Sequence, residues 1–208
     1  MLPLDEVLAR AKNIKLVIFD VDGVMTDGGL TIGDDGQEYK TFNTQDGLGM
    51  KLLKSSGVQM AIITGRTSNV VKQRSESTGV AHFYQGVDDK LVAYNDLIAK
   101  LNMLPEQTAF MGDDVVDMPP MLRCGLAVSV PAAPESVRKR AHYVTQKQGG
   151  RGAVRELCEL IMQAQGTLEA QLAPYFKWVR RWRHISNKCA INKCANGTVF
   201  LMTILSRA

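Results

Sequence analysis

The 208-residue sequence has few histidines, with three, and few cysteines, with four. Cys189 and Cys194 lack the histidines or the second cysteine pair that a structural zinc site requires. Cys124 and Cys158 stand in apolar, helix-like surroundings and are expected to be inert core thiols. The cysteines therefore predict neither a zinc site nor a disulfide framework.

Long hydrophobic runs are also missing. The longest apolar runs are short segments such as residues 16–19 and 60–63, far below the roughly 20 residues that a membrane-spanning helix needs. Residues 1–15 alternate apolar and charged side chains, unlike a secretory signal. We therefore expect a cytoplasmic protein with no membrane partner.

Acidic residues are absent from the last part of the chain. Residues 177–208 carry seven basic residues and no acid, whereas the residues before them carry 18 basic and 21 acidic residues. Such a tail is typical of a solvated or partner-seeking extension, and nucleic-acid binding through residues 175–183 is the weaker alternative. We predict a domain at residues 1–167, an irregular basic tail at residues 168–208, and no nucleic-acid partner.

Short apolar runs alternate with helix-like stretches, which predicts an α/β fold with a doubly wound parallel sheet. The strand-like runs are residues 15–20, 58–65, 81–86, 108–114 and 125–130, and the helix-like stretches between them are residues 46–56, 68–77, 90–102 and 115–123. Ligands of such sheets bind beyond the carboxyl ends of the strands. Asp20, Thr64, Lys90 and Asp113 are expected there.

Residues 27–42 interrupt this alternation. Two β-prone pieces flank Asp34, Asp35 and Gly36, and Asp-Gly between such pieces is a strong hairpin signal. We predict a protruding β-hairpin inserted after the first strand. A glycine-rich loop and an amphipathic helix at about residues 152–165 close the regular fold.

Two carboxylates, Asp20 and Asp22, follow the first strand. At such a spacing one carboxylate can attack phosphorus while the other acts as general acid and then as general base, which is the chemistry of phosphate ester hydrolysis. Asp20 is the candidate nucleophile and Asp22 the candidate acid. Asp-x-Asp alone is more typical of two solvated loop acids than of a catalytic pair, so the assignment depends on the other strand ends.

Three further residues supply what a phosphate site needs. Asp113 is the candidate ligand that completes a Mg²⁺ site with Asp20 and Asp22, because hard cations prefer carboxylate oxygens. Thr64 can hold the phosphate through its hydroxyl and the following N–H groups, and Lys90 can neutralise a phosphate oxygen and favour an ionised Asp20. Each residue taken singly could instead be a helix cap or a solvated side chain.

The motifs FDVDGV, TGR, a lysine and GDD, in that order, resemble the haloacid dehalogenase-like hydrolase superfamily over residues 15–165. The stretches TFNTQDGLGMKLL, MGDDVVDMPPM and GGRGAVRELCELIMQAQG resemble, more closely, the 3-deoxy-D-manno-octulosonate 8-phosphate phosphatase family within it. The resemblance implies an Mg²⁺-dependent phosphatase of lipopolysaccharide sugar synthesis. It also implies a homotetramer assembled around the hairpins, without a separate cap domain.

The resemblance also implies a set of substrate-binding residues in addition to Asp22 and Lys90. These are Asn43, Thr44, Gln45, Asp46 and Gly47 in the loop facing the sugar, Lys51 on the following helix, and Arg66 and Arg74 as anion-binding positions. Arg151 is expected to reach a neighbouring subunit's site.

Two positions depart from the family pattern. Gln45 and Lys51 stand where arginine is common in the family. Because lysine cannot reproduce the planar fork of arginine, binding of a sugar carboxylate there is expected to differ. The exact sugar phosphate therefore stays open, and an N-acylneuraminate 9-phosphate is the near alternative. An alternative of another class is a non-catalytic oligomeric binding protein.

Overall fold

The structure, a computed structural model, describes residues 1–176 of the chain. Its strands are β1 (Leu16–Phe19), β2 (Thr31–Ile32), β3 (Glu38–Tyr39), β4 (Gln59–Ile63), β5 (His82–Tyr84), β6 (Thr108–Met111), β7 (Leu126–Ser129) and β8 (Tyr143–Val144). Six of them form one sheet in the order β5-β4-β1-β6-β7-β8. Every neighbouring pair in this sheet is parallel.

Most helices of the described residues lie between strands, as the alternation predicts, while one precedes β1 and two follow β8. The helices are α1 (Leu4–Ala11), α2 (Thr44–Ser55), α3 (Asn69–Thr78), α4 (Lys90–Lys100), α5 (Met118–Met121), α6 (Glu135–Arg138), α7 (Ala153–Ala164) and α8 (Leu168–Leu172). The predicted helix at residues 115–123 is split into a 3₁₀ turn, Val115–Asp117, and α5. Two consecutive prolines, Pro119 and Pro120, cannot donate backbone hydrogen bonds, which explains why this helix is short.

The central strands are buried on both faces. Every residue of β1, β6 and β7 is buried, and the largest side chains among them are Phe19 and Phe110. Continuous apolar strands are what a sheet covered by helices on both faces requires. Burying each large apolar side chain contributes about 1.5–3 kcal/mol, so this layer is the core of the domain.

The strand order places a topological switch point beside β1. The chain leaves β1 for β4 and β5 on one side, and then returns to β6, β7 and β8 on the other side. The loops after β1 and β6 therefore diverge at their carboxyl ends and leave a crevice, where ligands of such sheets bind.

The predicted hairpin is present as a separate two-stranded antiparallel sheet of β2 and β3. Its turn is closed by hydrogen bonds from the N–H of Gly33 to the carbonyl of Gln37 and from the N–H of Gly36 to the carbonyl of Gly33, both at 2.8 Å. The hairpin strands are only two residues long. Because an isolated ribbon of this length is marginal, its side-chain contacts to the domain decide how firmly it is held.

One compact unit spans Met1–Gln171, and a second begins at Leu172. The segment predicted as irregular from residue 168 begins with α8 and a 3₁₀ turn, Ala173–Phe176. Most of the predicted basic tail, residues 177–208, lies outside the described residues. No helix within residues 1–176 combines the length and the hydrophobicity of a membrane span.

Candidate active site

Asp20 is the first residue after β1 and is buried, with 6% of its surface exposed. Its N–H donates to the carbonyl of Met111 at 2.9 Å, which continues the pairing of β1 with β6. One carboxylate oxygen, Oδ1, lies 2.8 Å from Nζ of Lys90. The strand end therefore fixes the backbone of Asp20, and a cation fixes its side chain.

Lys90 is the first residue of α4, where the side chain of Asp89 caps the helix. The Lys90 side chain is buried and its ammonium bridges two carboxylates, because Nζ also donates to Oδ1 of Asp117 at 2.6 Å. Burial lowers the pKa of Lys90, but Asp20 and Asp117 outweigh burial and hold that pKa above its ordinary value. The ammonium is therefore charged at neutral pH.

The acidic loop after β6 is organised by Asp117. Its Oδ2 accepts the N–H groups of Asp113 and Asp114 at 3.0 and 3.1 Å. One carboxylate oxygen from each of Asp20, Asp113 and Asp117 falls within 4.8 Å of the other two. The sequence predicts a metal site of Asp20, Asp22 and Asp113, whereas the cluster found among the described residues contains Asp117 in place of Asp22.

Gly23 makes room for Asp113. Its φ of +84° lies in the left-handed region, and a Cβ built there would lie 2.1 Å from Oδ2 of Asp113. Any larger residue at this position would push the Asp113 carboxylate out of the cluster. Glycine in the DVDG motif therefore has a steric reason in addition to a conformational one.

The cluster carries excess negative charge, which raises the pKa values of its carboxyl groups. Burial, followed by the charge of Asp117, raises the pKa of Asp20 to about 6, and Lys90 only partly opposes this rise. Burial, followed by the charge of Asp20, raises the pKa of Asp113 to about 7. Lys90 lowers the pKa of Asp20, as the sequence predicts. Without a metal ion, burial and repulsion by Asp117 raise that pKa by more than Lys90 lowers it.

These residues fit a hard divalent cation. Three carboxylates face one ammonium, and all the donors are oxygens, which is the ligand set that Mg²⁺ prefers. Both oxygens of Asp117 already have partners, the Lys90 ammonium on one side and two backbone N–H groups on the other. Asp20 and Asp113 are therefore the carboxylates best placed to hold the ion, with Asp117 orienting both Lys90 and the loop.

A cavity of about 450 Å³ opens above the cluster. Its lining includes Asp20, Asp22, Thr64, Arg66, Lys90 and Asp113. Thr64 is buried at the end of β4, where its N–H donates to the carbonyl of Tyr84 at 3.0 Å. Asp20, Thr64, Lys90 and Asp113, which the sequence places at strand ends, thus surround one cavity.

Asp22 also lines this cavity, but its carboxylate is paired with the hairpin rather than with the acidic cluster. Its Oδ1 contacts Nζ of Lys40, and that ammonium lies 2.6 Å from Oε1 of Glu38. Arg66 Nη2 lies 2.5 Å from Oε2 of Glu38, and Arg66 Nε is 4.0 Å from Oδ2 of Asp22. We refer to Asp22, Glu38, Lys40 and Arg66 as the hairpin ion network.

Glu38 and Lys40 were not predicted as site residues from the sequence. Glu38 begins β3 and Lys40 directly follows the strand, two residues along, so both side chains share one face, while Tyr39 points to the other and is exposed. The alternation Glu-x-Lys beside an exposed aromatic residue was the available signal. It did not reveal that this face folds back onto Asp22.

The loop predicted to face the sugar lies at the start of α2. Asn43 caps this helix, its Oδ1 accepting the N–H of Gln45 at 2.7 Å. The carboxylate of Asp46 is buried and accepts the N–H groups of Gly152 and Arg155 at 3.2 and 2.8 Å, so it caps α7. Burial raises the pKa of Asp46, and these N–H groups partly offset that effect.

Arg74 lies against the same loop. Its Nη2 donates to the carbonyl of Asn43 at 2.8 Å, and its guanidinium lies 5.6 Å from the ring centroid of Phe42. Arg151 instead pairs with Asp27 at 3.3 Å. Several predicted substrate residues do not line the 450 Å³ cavity within the described chain, namely Asn43, Thr44, Gln45, Asp46, Gly47, Lys51 and Arg74.

Residues 74–157 match the family model of haloacid dehalogenase-like hydrolases. The chain is 50% identical to the 3-deoxy-D-manno-octulosonate 8-phosphate phosphatase of Yersinia pestis over 165 residues, which are 79% of this chain and 88% of that protein. The protein of the same name from Escherichia coli K12 is 47% identical over 164 residues, covering 79% of this chain and 87% of that protein. The chain belongs to the 3-deoxy-D-manno-octulosonate 8-phosphate phosphatase family.

Solved structures of this family share the fold. A 3-deoxy-D-manno-octulosonate 8-phosphate phosphatase from Moraxella catarrhalis, solved with magnesium, phosphate and the sugar acid KDO, has a TM-score of 0.82 and 43% identity. The match covers 83% of this chain and 99% of that one. The resemblance to this phosphatase family and the predicted doubly wound sheet are therefore confirmed.

Proposed function

We propose that the protein hydrolyses 3-deoxy-D-manno-octulosonate 8-phosphate to the free sugar acid and phosphate, as a step of lipopolysaccharide synthesis. The observation that carries the proposal is the convergence of Asp20, Lys90 and Asp113 at one cavity, in a chain 50% identical to a phosphatase of that name. A nucleophile, a cation and a hard-metal ligand set in one crevice are what phosphoryl transfer needs.

The reaction begins with attack of a carboxylate oxygen of Asp20 on phosphorus. The bond between phosphorus and the sugar oxygen breaks, and Asp22 gives its proton to that oxygen. Lys90 holds Asp20 in place through the 2.8 Å contact, and Thr64 and the following N–H groups receive phosphate oxygens. Asp20 and Asp113 would hold Mg²⁺, with Asp22 as the third predicted ligand, and the bound ion would supply the positive charge that lets a phosphate dianion approach these carboxylates.

The second step releases phosphate. A water molecule attacks phosphorus of the aspartyl phosphate, the bond to the Asp20 oxygen breaks, and Asp22 takes the water proton. Asp22 is then protonated for the next cycle, so the proton balance closes over one turnover.

Substrate recognition is proposed in two parts. Arg66 lines the cavity and can bind an anionic group of the sugar acid. For residues 43–47, Lys51 and Arg74 we propose contacts to the sugar in the assembled enzyme. For Asp46 the contact would be indirect, because its carboxylate caps α7.

We further propose a homotetramer formed around the hairpins. The hairpin exposes Leu30, Ile32 and Tyr39, an apolar surface that a monomer has no reason to present. Light scattering on the purified protein tests the assembly, and a monomer at micromolar concentration would contradict it. The cytoplasmic location stays a prediction that cell fractionation can test.

A panel of sugar phosphates tests the proposed substrate. With Mg²⁺, kcat/KM should be highest for 3-deoxy-D-manno-octulosonate 8-phosphate, and removing Mg²⁺ with a chelator should abolish release of phosphate. A higher kcat/KM for N-acylneuraminate 9-phosphate would change the substrate but keep the chemistry. No phosphate release from any member of the panel would favour the non-catalytic alternative.

A further inference from the structure

The hairpin ion network places a buried lysine directly behind the candidate acid and base. Only 1% of the Lys40 side chain is exposed, and its ammonium contacts carboxylates of both Asp22 and Glu38. A lysine side chain shielded from solvent on a short hairpin is unusual, because removing an ammonium from water is unfavourable unless carboxylates surround it. The hairpin is thus attached through its charged face to the residue that carries the proton.

The contacts define the orientation of Asp22. Within the described residues, cations reach both of its carboxylate oxygens, with Lys40 at Oδ1 and Arg66 at Oδ2. Arg66 is half exposed and its contact to Asp22 is 4.0 Å, so Lys40 is the closer and more buried partner. Glu38 pairs with both cations, at 2.6 Å to Lys40 and 2.5 Å to Arg66, so one carboxylate links the two cations that contact Asp22.

We propose that Lys40 is a positioning residue for Asp22 in the second step, the hydrolysis of the aspartyl phosphate. In that step the ionised carboxylate of Asp22 must point one oxygen at the attacking water. A cation fixed on the other side of the carboxylate holds it in this orientation. This inference rests on the proposed function, because it assumes the aspartyl phosphate on Asp20.

The step is balanced without any further reactant. Water oxygen bonds to phosphorus while the bond from phosphorus to the Asp20 oxygen breaks, and its electron pair stays on the carboxylate of Asp20. The water proton goes to Asp22. Lys40 keeps its protons throughout and touches neither the substrate nor the reacting atoms.

Hydrolysis of p-nitrophenyl phosphate separates the two steps. Because p-nitrophenolate leaves without needing a proton, kcat/KM reports transfer to Asp20 and depends little on Asp22. When hydrolysis of the intermediate is slow, kcat reports that step instead. The variants are Lys40→Met, Lys40→Arg and the control Lys139→Met, which removes an exposed lysine paired with Glu135 at 2.7 Å.

For Lys40→Met we expect kcat to fall at least about tenfold, because a misaligned Asp22 loses part of the rate enhancement of a positioned general base. The value of kcat/KM should change little. A burst of p-nitrophenol and an acid-stable phosphoenzyme should appear. Lys40→Arg should recover much of kcat, and Lys139→Met should match the parent. Equal losses in kcat and kcat/KM without phosphoenzyme, or no loss in either, would overturn the positioning role.

The parallel variant Asp20→Asn separates this inference from the proposed function. If Asp20→Asn abolishes turnover while Lys40→Met shows no burst, only the role of Lys40 fails. If Asp20→Asn keeps full activity, the aspartyl phosphate itself is wrong, and the inference falls with it.

Discussion

Replacing Gly23 with alanine should remove the metal site while leaving the fold intact. A Cβ at this position would lie 2.1 Å from Oδ2 and 2.5 Å from Cγ of Asp113, a separation that side chains do not tolerate. The atoms it meets belong to a carboxylate on a rotatable side chain, so the clash is relieved when Asp113 turns away from Asp20. The variant G23A should therefore fold with Asp113 displaced.

The magnitude has two parts. The left-handed φ of +84° at Gly23 disfavours alanine, by about 1–2 kcal/mol, which for a domain of this size lowers Tm by roughly 2–8 °C. Displacement of a metal ligand by an ångström or more should lower kcat/KM by about a hundredfold or more. The stability effect is therefore small and the kinetic effect large.

Gly57 provides a matched control. Its φ is +98°, and among residues 1–176 no atom apart from those of its chain neighbours lies within 4 Å of a Cβ built there. The variant G57A should show a similar fall in Tm with unchanged kinetics. The assay is Mg²⁺-dependent hydrolysis of p-nitrophenyl phosphate at several Mg²⁺ concentrations. The reasoning is refuted if G23A keeps the Mg²⁺ affinity and kcat/KM of the parent, or if G57A loses them equally.

Three further outcomes follow from the same contacts. Lys90→Met should lower both kcat/KM and Tm, because Asp20 and Asp117 then face each other without a cation between them. Adding Asp117→Asn should recover Tm but not activity. Recovery of activity in this double variant would show that Lys90 is dispensable. Because the folded-state pKa values of Asp20, about 6, and Asp113, about 7, lie above the unfolded value of 3.8, unfolding free energy without metal should fall as pH rises to about 7. Mg²⁺ should therefore raise Tm more at pH 8 than at pH 5.5 in scanning calorimetry, and an equal rise at both would contradict this linkage. Asp46→Ala should remove the α7 cap and lower the unfolding free energy by about 1–2 kcal/mol, with little change in kcat/KM for 3-deoxy-D-manno-octulosonate 8-phosphate. A large loss of kcat/KM for this sugar phosphate with unchanged Tm would indicate direct substrate contact.

The strand ends could be predicted from the sequence because their signals are local. Asp20, Thr64 and Asp113 each follow a short apolar run, and a parallel sheet brings the carboxyl ends of its strands to one edge. The hairpin could also be predicted from the sequence, since its Asp-Gly turn is a local signal. The alternation of strand-like and helix-like segments predicts a parallel sheet, and the topology of that sheet brings these residues together.

Long-range side-chain pairs could not be predicted in the same way. Asp46 stands in a loop that the family resemblance assigns to the sugar, yet its carboxylate caps a helix more than a hundred residues later in the chain. The contact between Lys40 and Asp22 depends on how the hairpin folds back over the cavity. No periodicity encodes such a contact, because it arises only when two separately formed elements pack.

Identifying the residue that carries the phosphoryl group tests directly whether Asp20 is the nucleophile. Protein quenched in acid during turnover of 3-deoxy-D-manno-octulosonate 8-phosphate with Mg²⁺ can be digested and mapped by mass spectrometry. We expect an acyl phosphate on Asp20 that is absent from Asp20→Asn and from samples without Mg²⁺. A phosphoryl group on any other residue, or turnover by Asp20→Asn at the parent rate, would contradict it.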